Sequence, residues 1–174
     1  MLQKHRIGKI SVMIIILSLF LTQSLFSQDK SVERNDKLWS DVRFGAVLGE
    51  DYMNAVIGSI NVEYSLYGAF TIGIRGLYGI NWNDEHLKNT ELKDFGLKVG
   101  FSQIKDNFKF SIFSGITYLK GNFLSKDFSV YNLPLEADVF YVGKRLGFGI
   151  SIFDNINSAM NYYGMSIGFL VIIL

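Results

Sequence analysis

The sequence predicts an all-β protein: an eight-stranded antiparallel up-and-down transmembrane β-barrel that follows an N-terminal signal peptide. Three observations carry this reading. From Ser40 onward, apolar side chains recur at every second position in eight successive runs, the period of a strand with one apolar face. Short and longer connections alternate between those runs. Charged residues make up only 19% of the 174 residues and hydrophobic ones 49%, whereas soluble domains of similar apolar content carry about 25% charge.

The chain begins with a secretory pattern. Lys4, Arg6 and Lys9 form a basic region, Ile10 to Leu21 an aliphatic run, and Thr22 to Ser27 a small, polar stretch ending at the expected cleavage site. The apolar run is short for a membrane-spanning helix, which needs about 20 residues. Residues 1–27 are therefore read as the signal peptide and 28–39 as a polar lead. Residues 40–174 are read as the barrel. Removing 1–27 takes away three of the 17 basic residues and none of the 16 acids. The slightly acidic remainder offers no footing for nucleic acid. Cysteine is absent, which excludes disulfides, thiolate metal sites and cysteine nucleophiles.

The eight runs follow in order. Val42, Phe44, Ala46 and Leu48 define the first, and Ile60, Val62, Tyr64 and Leu66 the second. The third spans Phe70 to Trp82, the fourth Phe95 to Phe101, the fifth Phe108 to Tyr118. Leu133 to Tyr141, Leu146 to Ile152 and Tyr163 to Ile173 complete the set. Tyr67-Gly68, Lys105-Asp106-Asn107 and Gly143-Lys144-Arg145 read as tight hairpin turns. The remaining connections, 50–55, 83–91, 120–130 and 154–161, read as longer loops. Short turns on one side and long loops on the other are the layout of an outer-membrane barrel.

The apolar face faces lipid rather than a core. It is too bulky for the narrow bore of eight strands. The opposite face carries 11 of the 17 glycines, Gly45, Gly96 and Gly100 among them, and small residues suit a crowded lumen. That face also holds the strand charges Arg43, Glu63, Arg75, Lys98, Lys109, Glu136 and Asp138. In hydrocarbon, Arg or Lys at midplane costs about 2–4 kcal/mol; in a lumen these groups can pair. Hairpin register places Arg43 near the level of Glu63 with Arg75 in reach, and offers Lys98 and Lys109 to Glu136 and Asp138. Four basic against three acidic groups nearly cancel. Phe113, Leu119, Phe140, Val142 and Phe153 share the inward phase, so the bore reads as filled. Aromatics gather toward both strand ends: Tyr78, Trp82, Tyr118, Tyr131 and Tyr163 near the long loops, and Tyr64, Phe70, Phe101, Phe108, Tyr141 and Phe148 near the turns. Two water–lipid interfaces select such girdles.

Over residues 40–174 this layout resembles the small eight-stranded outer-membrane β-barrels of the OmpA/OmpX-like type. The resemblance rests on layout rather than on a sharp motif. The chain departs from it by ending in Gly168-Phe169-Leu170-Val171-Ile172-Ile173-Leu174, without a terminal aromatic. It implies a bacterial outer-membrane location reached by the signal peptide. The implied partners are outer-membrane lipid, lipopolysaccharide and the barrel insertion machinery, with a further surface partner through the loops.

Little points to chemistry. Barrels of this size that modify lipid A use a histidine near a serine and a carboxylate. Once the signal peptide is gone, His86 is the one histidine left, in the loop sequence Asn83-Asp84-Glu85-His86-Leu87-Lys88. Neighbours on a loop do not build a triad, which is recognised by geometry. The outer loops are acidic, with Glu50, Asp51, Asp84, Glu85, Glu91, Asp127 and Asp154 against Lys88, Lys120 and Lys126. They lack calcium-loop spacing. The expectation is a non-enzymatic barrel with a structural or surface-interaction role and with no catalytic, metal or cofactor site. A narrow, porin-like pore or solute-binding barrel is the alternative, and a lipid-modifying enzyme a more distant one.

Overall fold

The computed structural model describes residues 37–49, 54–67, 69–81, 91–123, 126–159 and 161–173. The signal peptide, most of the lead, His86 and the acids of 50–51 and 84–85 lie outside the described residues. Eight strands form: β1 (Leu38–Gly49), β2 (Asn54–Tyr67), β3 (Phe70–Asn81), β4 (Glu91–Lys105), β5 (Phe108–Phe123), β6 (Lys126–Val142), β7 (Leu146–Asn157) and β8 (Tyr162–Ile172). Each pairs antiparallel with its neighbour in sequence. The last pairs with the first, closing the sheet into a barrel. The closing seam runs from Trp39 opposite Ile172 to Gly49 opposite Tyr162.

Closure removes the free edges that a sheet would otherwise expose, and the alternation then decides what goes inside. Phe95 and Leu97 of β4 are 64% and 65% exposed on the outer wall, while Asp94 and Lys98 are each 2% exposed within it. Charged groups inside and large apolar ones outside invert the arrangement of a water-soluble barrel, and hydrocarbon is the surrounding that this wall fits. Near the short turns, Tyr141 meets Phe108 edge-on and Phe148 at a tilt, both at 5.6 Å, and Phe70 meets Phe101 edge-on at 6.0 Å. Toward the other end Tyr118 and Tyr131 pair at 5.9 Å.

The β4–β5 turn is two residues long, and Asp106 takes a left-handed φ of 54° there, a conformation short polar side chains tolerate. On the opposite side three of the four connections are shorter than expected, the one between β3 and β4 keeping its expected length. Residues 120–130 are mostly strand: Lys120 pairs with Ser129, Gly121 with Phe128 and Asn122 with Asp127, and only 124–125 separates β5 from β6. β5 and β6 reach 16 and 17 residues, beyond the roughly 9–11 a tilted strand needs to cross a bilayer. Their ends project past the apolar wall while keeping the alternation, with Leu119 and Gly121 buried inside and Lys120 exposed outside. Residues 154–157, read as loop, belong to β7, where Asp154 and Asn155 are buried. The lead is likewise shorter at its end: Leu38 and Trp39 open β1, and Trp39 is buried.

Candidate functional site

The bore is built in three levels. Toward the turn end lie Trp39, Phe140, Val142 and Leu170, packed together and buried. Toward the other end a larger apolar cluster joins Val47, Ile57, Leu77, Leu92, Leu119, Phe153 and Tyr162. Between them sits a belt of buried charge. Alternation delivers it: on each strand the inward positions between the two apolar layers carry the polar groups, as in Trp39-Asp41-Arg43-Gly45-Val47 of β1.

Arg43 is the hub. Its Nε reaches Asp41 at 2.5 Å, and its Nη1 reaches Glu136 at 2.9 Å and Asp138 at 2.8 Å. Nη1 also donates to the Ser151 hydroxyl at 2.7 Å. Lys98 donates to Glu63 and to Glu136, both at 2.8 Å, and Lys109 donates to Glu63 at 2.5 Å. Arg75 pairs with Asp94 at 2.8 Å and with Glu136 at 3.4 Å. Around Asp94 a second polar cluster forms: Tyr162 donates to its Oδ2 at 3.1 Å and Asn132 at 3.3 Å, while Arg75 also reaches Asn155 at 3.0 Å.

The seven lumen charges named from the sequence are therefore brought together, with altered partners. Arg43 stands 3.7 Å from Glu63, but its shorter contacts go to Asp138 and Glu136. Arg75 contacts Asp94 and Glu136 rather than Glu63. Lys109 turns to Glu63, not to Glu136 or Asp138. Two lumen acids were missed, Asp41 and Asp94, each buried. Both lie on the inward phase, two residues from Arg43 and Gly96, so extending the alternation by one step finds them. They tip the belt from near-cancelling to five carboxylates against four cations. Asp154, read as a loop acid, is 2% exposed within β7, in register with Leu135 and Tyr163.

Each lumen cation also lies over an aromatic ring: Arg43 over Phe140 at 5.4 Å, Arg75 over Phe153 at 5.3 Å, Lys98 over Phe113 at 4.2 Å and Lys109 over Trp39 at 5.5 Å. Such contacts contribute about 2 kcal/mol when desolvated. The aromatics that fill the bore thus also hold the charges in place. Carboxylate oxygens of Glu63, Glu136 and Asp138 converge within 4.8 Å of one another, a spacing that could hold a metal ion. Here Lys98, Lys109 and Arg43 supply the positive charge, so the residues present read as a self-neutralising ionic cross-link between walls.

No family profile and no curated protein sequence matches the chain. Solved structures do. Neisserial surface protein A superimposes with a TM-score of 0.58 at 11% identity, covering 78% of this chain and 96% of that one. Ail, the attachment invasion locus protein of Yersinia pestis, gives 0.54 at 10% identity, over 78% and 95%. The outer membrane enzyme PagL gives 0.57 at 10% identity, over 76% and 99%. The chain has the fold of the small eight-stranded outer-membrane β-barrels.

Proposed function

We propose that this chain is a closed, non-conducting and non-enzymatic barrel of the bacterial outer membrane. In this reading it is exported by its signal peptide and acts as a structural or surface-interaction protein. The observation that carries the proposal is the bore: two packed apolar layers enclose a belt in which Arg43, Lys98 and Glu136 tie facing walls together. With β1 starting and β8 ending on the turn side, a protein delivered by the secretory route leaves that side in the periplasm. The β5–β6 extension and the strand ends at Gly49, Asn54, Asn81, Glu91, Asn157 and Tyr162 then face outward. They are the surfaces available to a partner or to the lipopolysaccharide layer.

The fold alone does not decide between roles, since a surface protein, an attachment and invasion protein and an enzyme share it. What favours a non-enzymatic role is that the charged side chains of the belt are ion-paired with one another between two packed apolar layers. The test is single-channel conductance of the purified protein in planar bilayers. The expected result is no conductance. Stable steps whose ion selectivity changes with Glu136→Lys would replace this reading with the pore.

A further inference from the structure

The outer wall is not uniformly convex. Across β1 to β5, toward the end away from the turns, runs an apolar groove of about 750 Å³. Two registered rungs build it. One reads Phe44, Gly58, Tyr78, Lys93, Lys120 from β1 to β5; the next reads Val42, Ile60, Gly76, Phe95, Tyr118. Each rung lacks one side chain, at Gly58 or Gly76, and the missing bulk leaves a trough between the Phe44 and Phe95 rings.

Packing does not require these two glycines. A Cβ at Gly58 would come no closer than 3.9 Å to the Phe44 ring, and one at Gly76 would sit 4.0 Å from Phe95. The trough opens onto the surface that faces hydrocarbon, so its natural occupant is an acyl chain.

The rim specifies the headgroup. Lys93 and Lys120 are directly opposite each other across β4 and β5, and like charges so placed destabilise a sheet. Glu91 is 2.6 Å from Lys93, and Asp127 accepts from Asn122 at 2.7 Å. Both acids lie one outward-facing step farther from the apolar wall than the lysines. A headgroup leaving hydrocarbon reaches the two lysines, where its phosphate would compete with Glu91 for Lys93. We propose that this groove holds one acyl chain of a phosphorylated outer-leaflet lipid, with a phosphate seated between Lys93 and Lys120. The inference rests on the membrane reading of the wall but not on the bore being closed.

The test reconstitutes the barrel into phosphatidylcholine vesicles containing either bisphosphorylated lipid A or the same lipid A stripped of its phosphates. After mild detergent extraction, retained lipid is counted by native mass spectrometry. The wild-type protein should retain the phosphorylated form preferentially. Lys93→Gln and Lys120→Gln should each lower that retention about fivefold. The double variant Gly58→Leu/Gly76→Leu fills the trough, leaves the lysines intact and should also lose the lipid. Equal retention of both lipid A forms, or lysine variants that retain like wild type, would overturn the proposal. Lysine dependence without any effect of the leucines would reduce it to surface attraction and overturn the groove. Failure to insert into either vesicle would overturn the membrane reading and the groove with it.

Discussion

Arg43 on β1 grips Asp138 on β6 at two points, Nη1 to Oδ1 at 2.8 Å and Nη2 to Oδ2 at 3.1 Å. The two strands are not neighbours in the sheet, so the contact crosses the bore. Paired hydrogen bonds of this kind are the strongest and most directional that a guanidinium makes, and this one braces the barrel against flattening.

Glu136 is the carboxylate on which this bracing converges, since it contacts Arg43, Lys98 and Arg75. Glu136→Ala should lower unfolding stability by about 3–5 kcal/mol, because buried cations lose their partner. Urea titration of the folded protein in lipid bilayers measures this directly. A midpoint unchanged from wild type would mean that the belt contributes no bracing.

Tyr162 closes the upper apolar layer while donating to Asp94 at 3.1 Å. Tyr162→Phe keeps the ring and removes the donor. A loss of about 1.5–3 kcal/mol is expected for a hydrogen bond to a charged group, read in the same titration.

Glycine substitutions should separate the two faces. A Cβ at Gly96 would run into the backbone of Ile116 and Thr117, whereas one at Gly76 meets only the Phe95 ring at 4.0 Å. Gly96→Ala should cost about 1–3 kcal/mol through overpacking. Gly76→Ala should stay within about 0.5 kcal/mol of wild type. Equal effects would contradict the assignment of faces.

Leu97, 65% exposed near the middle of β4, faces lipid, and Ser111, 3% exposed, faces the bore. Leu97→Arg should destabilise the inserted barrel by about 2–4 kcal/mol, and Ser111→Ala should change little. The readout is the fraction of protein that migrates as the compact, unboiled species on a detergent gel.

The strands and their facing were legible because period-two alternation is a local property. Val42 and Phe44 announce the outward face of β1, and Arg43 between them announces the other. Strand ends were less legible. Asp154-Asn155-Ile156-Asn157 has the composition of a loop, yet β6 and β8 pair with its first two residues and β6 with all four. Trp39 follows a polar stretch and was assigned to it, although its ring lies over Lys109 inside the bore. The ionic partners were least legible. Hairpin register relates Arg43 only to β2, where it sits opposite Ser59; its place opposite Gly168 of β8 comes from closure. Its contacts to Glu136 and Asp138 exist only because the sheet closes with a particular stagger, which no stretch of sequence encodes by itself.

The buried belt also bears on the register of the closing seam. A slip of one residue between β1 and β8 turns every side chain to the opposite face. Val42 and Phe44 would then enter the bore, and Asp41 and Arg43 would meet hydrocarbon. A slip of two would keep the faces but draw Arg43 out of line with Asp138 and Glu136. Of these three registers the observed one, Arg43 opposite Gly168, is the one that satisfies both lipid and lumen, so the seam is held in place from its inner and outer faces at once.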